Sequence, residues 1–472
     1  MIERSTGGIG LAELERELTW HERGRRPRLE RLWRYFRNPV VGAGADGRGR
    51  LAQEEGLPAR LTGRSGVAGV AGAGVVRERV VENDIAWRVQ TLVEFMFGKA
   101  VRVHSAAEPD ARARQVEAFL HAVFEANGGV HFFQDMALLG SVYGFVDVLV
   151  RVVDEGDGAA RIRLEVVEPV RAVPMLDGDD YRRLRAYAVH VRQRVREDAA
   201  GGWLSRVLGV GGGGRFVERT EVWTDEAVRW YRGERGAVAG GGRTARRLVG
   251  EEVNWLGRVP VVHIQNLPQP FHFEGLSDVE PLLPLQDELN TRLSDRANRV
   301  TFQSFKMYLG KGIEGFTERP VGPGQMWSTD NPDASIEAFG GDAATPSEDA
   351  HIQQIRAAMD KASGVTAVAA GLVEGQVGNL TSGAALRVVL MGLLAKTKKK
   401  RVTYGAGLKQ LCELVLHAAD VHGVFANEAD ERGVTVDWPD PLPDSEMERL
   451  RQARLKLEVG VGREQVLREL GY

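Results

Sequence analysis

An α+β fold is predicted by three features of the sequence. Residues 145–153 alternate Val146, Val148, Val150 and Val152 with Asp147, Leu149 and Arg151, and residues 161–167 alternate again through Ile162, Leu164 and Val166. Period-two patterning on both sides of the turn Asp154-Glu155-Gly156-Asp157-Gly158 marks a β-hairpin. Strand-like runs at 184–195, 216–223, 228–232 and 259–265 extend this into a β-rich block over 145–266. Helical patterns bracket the block, so strands and helices occupy separate stretches of chain.

The 472 residues suffice for two to four units with cores of their own. No apolar run approaches the roughly 18 residues of a membrane span, and the N-terminus lacks a basic-then-apolar leader. The single cysteine, Cys412, excludes an internal disulfide framework and a cysteine-based zinc site, and suits a reducing cytoplasm. A net charge of −3 argues against tight nucleic-acid binding, which comes mainly from clustered Lys and Arg. Only 10 of the 62 basic residues are Lys, yet four of them fall within Lys396–Lys400.

Along the chain, residues 11–37 carry Leu29, Leu32, Trp33 and Phe36 at helical spacing. Residues 41–75, rich in Gly and Ala, read as irregular, so the first 80 residues are expected to be peripheral and partly disordered. Helices are expected over 84–97, closing at Gly98, and over about 110–126 and 130–142. The Gly-rich stretch 200–214 reads as a loop. Ser277-x-x-Glu280 matches a capping box, but Pro281 and Pro284 move the clean helix start toward Pro284. From there Leu285, Leu289, Leu293, Ala297 and Val300 repeat at or near every fourth residue, among Asp287, Asn290, Arg292, Asp295, Arg296, Asn298 and Arg299. That is a long polar helix with a narrow apolar stripe.

Residues 306–344 break into short Gly/Pro-punctuated pieces. Thr345-Pro346-Ser347-Glu348 then opens a helix, with Ile352, Ile355, Met359 and Ala362 at helical spacing and Gly364 where a C′ glycine belongs. Residues 366–381 (TAVAAGLVEGQVGNLT) hold three glycines and one charge. Ser382 opens a pattern reaching about His422, roughly 60 Å if straight, with a kink expected at Gly405 and Gly407. A strand-like run at Val434–Trp438, a Pro-rich turn and helices at about 445–458 and 462–470 end the chain.

Few constellations carry chemistry. Gly211–Gly214 and Gly371-x-x-x-Gly375-x-x-Gly378 both lack the G-K-[ST] of a phosphate-binding loop, so no nucleotide motor is encoded. His417 and Asp420 share a helical face at a spacing that can share a metal, with His422 nearby, but no third ligand is evident. No catalytic triad or paired-carboxylate motif appears, and no cofactor is called for. Lys396, Lys398, Lys399, Lys400 and Arg401 span more than one turn, so they surround their helix; repeated around an axis they would form a positive band. The stretch 366–381 is too long and too neutral for an ordinary connector. A loop that presses on a sliding polyanion without sticking would avoid Lys and Arg, and this one has neither.

This order of parts resembles the tailed-bacteriophage portal protein family. The resemblance rests on Gly275–Phe305, especially LQDELNTRLSDRANRVTFQSF, on Asn379–Arg401 (NLTSGAALRVVLMGLLAKTKKKR), and on the closing stretch 440–470. It implies a peripheral segment (1–80), a wing (81–275), stem helices (276–305 and 346–365) flanking a clip (306–345), a tunnel loop (366–381), a long kinked wing helix (382–423) and a crown (424–472). It further implies a homo-oligomeric ring of about twelve at one capsid vertex, passing double-stranded DNA during packaging and ejection. Partners would be the terminase large subunit, the major capsid or scaffolding protein and head–tail connectors, with no membrane. The protein would reside in the virion, and in the host cytoplasm during assembly. Channel contacts would come from Val368, Leu372, Val373, Glu374, Gln376 and Asn379. Asp287, Arg292, Asp295, Arg296 and Arg299 would pair between subunits. The alternatives are another oligomeric virion protein without a DNA channel, or an α+β enzyme of unknown chemistry.

Overall fold

The predicted hairpin lies within a three-stranded antiparallel sheet. Phe145–Asp154 pairs with Ala160–Val167, Asp147 opposite Val167, and on its other side with Val261–Gln265. The computed structural model describes residues 9–43, 49–62, 77–154, 160–195, 215–235, 245–304, 307–312, 330–339, 346–370, 383–442 and 446–470. The chain divides into two units, one of residues 1–36, 86–280 and 364–472, the other of 37–85 and 281–363.

In the first unit both faces of the central strand are covered. Val146, Val148 and Val150 enter a core shared with the helices Asp110–Ala126, Val130–Tyr143 and Met391–Val421. Leu149, on the opposite face, packs with Val167, Ala172, Tyr187 and Val189. Asp147 is therefore fully buried despite its place in the polar half of the alternation. It accepts hydrogen bonds from Tyr187 Oη (2.9 Å) and faces His263 Nδ1 (2.6 Å), as a buried carboxylate must.

The second sheet runs Ala172–Leu176, Leu184–Val195, Arg215–Trp223, Ala227–Arg235 and Ala245–Val253, each antiparallel to the next. Its first and last strands are the two that the sequence pattern does not announce, and they are its two edges. Pro174 interrupts the first, and the last (ARRLVGEEV) is charged and non-alternating. Edge strands tolerate proline and carry charge because one side of the ladder is open.

The 11–37 segment is not an appendage. It forms Leu11–Trp20, a π-helical turn His21–Arg25, and Arg26–Arg37. Leu14 and Leu18 are buried with Val173, Met175, Ala186, Ala188 and Val222 of the five-stranded sheet. Arg25 Nη1 donates to the carbonyl of Ala172 (2.7 Å). Leu14 and Leu18 needed a partner face, and a sheet assembled far along the chain supplies it.

The long helix Met391–Val421 is unbroken through Gly405 and Gly407. A Cβ on Gly407 would lie 2.4 Å from Ile264 Cγ1, so this glycine permits close packing on the strand Val261–Gln265. The interruption falls instead at Leu390, which separates this helix from Gly383–Val389.

The second unit pairs the helices Leu283–Ser304 and Pro346–Ser363, with a small hairpin of Met307–Lys311 and Ser335–Phe339 in the sequence between them. Leu289 and Leu293 are buried on the first helix, and Ile352, Ile355 and Met359 on the second. Part of the 41–75 stretch that reads as irregular is ordered: the strands Val40–Ala43 and Gly49–Leu51, a turn Ala52–Gly56 and a short helix Ala59–Thr62.

Residues 78–83, up to the first residue of the helix Asp84–Phe97, run along the 283–304 helix, held by a ladder that the sequence pattern does not suggest. The N–H of Glu78 donates to Asn298 Oδ1 (2.9 Å), that of Val80 to Ser294 Oγ (3.0 Å), that of Glu82 to Asn290 Oδ1 (3.0 Å) and that of Asp84 to Gln286 Oε1 (3.1 Å). In return Asn298 Nδ2 donates to Glu78 O (2.8 Å) and Gln286 Nε2 to Glu82 O (2.5 Å). The spacings match because four helical residues rise about 6 Å and two extended residues about 6.6 Å. Asn290→Leu would strand the Glu82 N–H and remove the hydrogen bond that Asn290 Nδ2 donates to Gln53 Oε1 (3.0 Å). Denaturant unfolding should show a loss of about 1–3 kcal/mol. A loss below about 0.5 kcal/mol would mean that the Asn290 rung contributes nothing.

Candidate functional site: the flanks of the 366–381 segment and their buried clamp

In the first unit, the flanks of the 366–381 segment meet in one apolar cluster. Val365 and Ala369, the latter in the turn Ala367–Ala370, join Leu92, Leu386, Leu390, Leu393 and Leu442. Gly364 takes φ +72°, the left-handed conformation expected of a C′ glycine, and its backbone lies against that of Gly392. Arg88 Nη1 donates to the Val365 carbonyl (2.6 Å). Val368 is half-buried on the turn; Leu372, Val373, Glu374, Gln376 and Asn379 lie outside the described residues.

The five basic residues of 396–401 separate by the turn of their helix. Lys396 and Lys400, one turn apart, both reach the buried carboxylate of Asp278, at 2.7 Å (Oδ1) and 2.5 Å (Oδ2). Lys400 is 1% exposed and also donates to Ser141 Oγ (2.8 Å); Asn266 Nδ2 donates to Asp278 Oδ2 (2.9 Å). Burial alone would raise the Asp278 carboxyl, but Lys400 and Lys396 outweigh it and hold it well below the usual carboxylate range. Burial pulls the Lys400 ammonium down, with Asp278 opposing. Arg401 is half-buried, its guanidinium 5.2 Å from the centre of the Trp438 ring, and donates to Pro439 O (2.8 Å). Only Lys398 and Lys399 of the five are exposed.

Near the clamp, helix Val130–Tyr143 and helix Met391–Val421 approach closely at Gly140. A Cβ on Gly140 would sit 1.9 Å from Tyr404 Oη, and the buried Tyr404 hydroxyl lies 3.4 Å from Asn266 Oδ1. Ser277 does act as a cap, accepting from the N–H groups of Val279 (3.0 Å) and Glu280 (3.2 Å). Asp278, inside that capping box, is the residue that sequence reasoning missed. Its signal was an i, i+4 lysine pair needing an acidic partner.

In the second unit, the residues expected to pair between subunits have partners within the chain. Arg292 pairs with Glu288 (2.7 Å) and Asp295 with Arg60 (2.7 Å). Arg296–Asp349 (2.6 Å) and Arg299–Glu348 (2.7 Å) join the two helices. Asp287 lies over Gly56, whose Cβ would fall 1.8 Å from Asp287 Oδ1.

The possible metal pair is occupied by an arginine. Arg432 lies between His417 Nδ1 (3.0 Å) and Asp420 Oδ2 (3.0 Å), and His422 is exposed. Guanidinium only donates, so Nδ1 of His417 is an acceptor there and no room is left for a cation. Among the described residues no group of three His, Cys, Asp or Glu could hold a metal, and no helix is long and apolar enough to cross a membrane.

The family described as Phage portal protein, SPP1 Gp6-like, matches residues 21–469, nearly the whole chain. The chain belongs to that family. It is thus a virion structural protein, of a family that is structural and not enzymatic. Among solved structures, a chain from the virion of a native gene transfer agent (GTA) particle is similar, with 13% identity and a TM-score of 0.43 over 79% of this chain and 84% of that one. No curated protein matches.

In this portal-family chain the clamp is testable by stability. Asp278→Ala would leave Lys400 buried without its counter-charge and should cost about 3–5 kcal/mol in denaturant unfolding. Asp278→Leu with Lys400→Met should recover much of that, because the two fully buried charges are then both gone while Lys396 is part-exposed and can reach water. Because the folded carboxyl lies below its unfolded value, its stabilisation is complete above about pH 5 and declines as pH falls through and below about 4. The Asp278→Asn protein should show a shallower loss of stability between about pH 5 and 2. An unchanged slope would show that another carboxylate governs the acid transition.

Proposed function

We propose that the protein assembles a ring of about twelve copies at one capsid vertex, through which double-stranded DNA enters during packaging and leaves at ejection. On this reading residues 81–275 form the wing, 276–305 and 346–365 the stem, 306–345 the clip, 366–381 the tunnel loop, 382–423 the long wing helix and 424–472 the crown. The clip would dock the terminase large subunit and later the head–tail connectors, and the outer surface would meet the major capsid or scaffolding protein. The observation that supports a conduit best is the treatment of charge beside the 366–381 segment. That segment has no Lys or Arg, and of the basic cluster that follows, Lys396 and Lys400 are consumed by Asp278.

Twelve copies of a chain with charge −3 carry −36. Such a ring repels DNA as a whole, while Lys398 and Lys399 leave a thin positive band. A sliding duplex needs weak holding, since each phosphate neutralised adds to affinity and would brake it. Salt bridges joining the two stem helices within a chain would stiffen each strut, although exposed pairs contribute at most about 1 kcal/mol each.

Mass measurement and particle imaging of the full chain test the ring: about twelve subunits around a central hole are expected. Deleting Gly371–Gly378 should leave ring assembly intact and impair DNA packaging or retention. Normal packaging and retention by the deletion would remove the loop from the bore. Lys398→Glu with Lys399→Glu should lower packaging with no change in thermal stability, since both side chains are exposed. Packaging at the wild-type level would place these lysines away from DNA.

A further inference from the structure

The first unit holds a cavity of about 410 Å³ between the helix Arg26–Arg37, the end of the helix Val130–Tyr143, the turn 168–171 and the strand Leu184–Val195. That volume is within the range of small-molecule sites, about 300–1,000 Å³, and leaves room for more than a bare oxyanion. Four arginines converge on it from three stretches of chain: Arg26 and Arg34 from the helix, Arg171 from the turn and Arg192 from the strand. Two carboxylates, Glu30 and Glu168, share the walls. Arg26 bonds Glu30 (2.7 Å) and also Glu22 (2.7 Å), and Arg171 pairs with Glu168 (3.0 Å). With Glu22 counted, the four arginines still exceed the carboxylates by one charge. On the same stretch Arg25 and Arg28 are matched by Glu274 and Glu280, while exposed Arg23 and Arg31 add to the excess. Gathering like charges is favourable only beside anions.

Two buried side chains of the lining each carry a polar atom with no hydrogen-bond partner in the protein. Tyr143 is 1% exposed, and its Oη is one of these atoms. Burial first, then Glu168 and Glu30, push this hydroxyl up, so it stays protonated and can donate. His190 is 4% exposed. Its Nδ1 lies 2.9 Å from Thr220 Oγ1, whereas Nε2 makes no hydrogen bond and has Glu22 Oε1 3.7 Å away. Burial lowers its pKa to about 4, so the imidazole is neutral at neutral pH. Buried polar atoms without partners are costly and uncommon, and two of them on one cavity are left for a group that arrives from outside. Half-buried Trp33 completes the lining, its ring parallel to that of Tyr143 with the centres 5.9 Å apart.

We propose that this cavity binds a single nucleotide unit, with its phosphate among the arginines, its base against Trp33 and its hydroxyl or amino groups on Glu30 and Glu168. Planar guanidinium forks match phosphate oxygens, an aromatic ring stacks on any base, and carboxylates accept from sugar hydroxyls. Inorganic phosphate or a small dicarboxylate would leave Trp33 and both carboxylates unused. The inference is independent of the ring reading, since every wall belongs to one chain.

The test titrates the full chain with deoxyadenosine monophosphate in a calorimeter, with inorganic phosphate and deoxyadenosine as comparisons. One mononucleotide per chain is expected, bound at least tenfold more tightly than either comparison. Tyr143→Phe removes a hydroxyl with no protein partner, so it should leave the unfolding temperature unchanged and weaken binding at least threefold. Arg192→Gln should weaken binding at least tenfold with an unchanged circular dichroism spectrum. A 5′-phosphorylated oligonucleotide that displaces the mononucleotide makes a DNA chain end the source, and one that does not makes it a free nucleotide; the site stands in either case. Inorganic phosphate bound as tightly as the mononucleotide, no saturable binding at millimolar concentration, or binding unmoved by both substitutions overturns the proposal.

Discussion

A carboxylate enclosed in the first unit has to find cations, and Asp278 finds two on successive turns of one helix. Lys396 and Lys400 approach its two oxygens, Asn266 and Ser141 complete the polar shell, and Asp278 and Lys400 are closed to water. Three consequences follow from that constraint. The rotation of the Met391–Val421 helix is set, since only one face can present both lysines. Its distance from helix Val130–Tyr143 is set as well, with Gly140 admitting the Tyr404 hydroxyl. And the start of the segment leading to Leu283 is fastened beside the clamp, because Ser277 and Asp278 both bond to residues 141–142. A buried ion pair of this kind adds little net stability over a hydrophobic replacement, so its role here is read as positional.

The second unit solves a different problem with the same currency of polar groups. A helix carrying Gln286, Asn290, Ser294 and Asn298 on one face has no apolar reason to bind anything there. It binds an extended main chain instead, satisfying N–H and C=O groups as a neighbouring strand would. Leu289 and Leu293 bury apolar surface on another face. Such a helix can be polar over most of its surface and still be held on two sides, which suits a strut with water or like subunits around it.

The candidate site was legible in part. The lysine cluster, the neutral segment before it and the C′ glycine at Gly364 all stand out in the sequence, and Gly364 has the predicted backbone. The division of the cluster into inward and outward lysines was not legible, because Asp278 lies more than a hundred residues away. The same distance problem hid the filling of the His417–Asp420 pair: a spacing that suits a metal also suits a guanidinium, and Arg432 arrives from the next element. Glycines in the long helix illustrate a further ambiguity. In isolation they read as a kink, whereas packed against Ile264 a glycine is what allows an unbroken helix to approach a strand.

Local periodicity by itself determined the α+β class, the hairpin at 145–167, the paired long helices and the neutral segment between helices, because each depends on neighbours within a few residues. Sequence motifs over 275–305 and 379–401 carried the family resemblance, which the match over 21–469 established. The tertiary structure decided what depends on meeting distant chain. It made the first helix part of the core, placed two unannounced strands at the sheet edges, and buried Asp147 and Asp278 with their partners. Those outcomes follow from burial, and burial is a property of the faces that come together rather than of any one stretch of sequence.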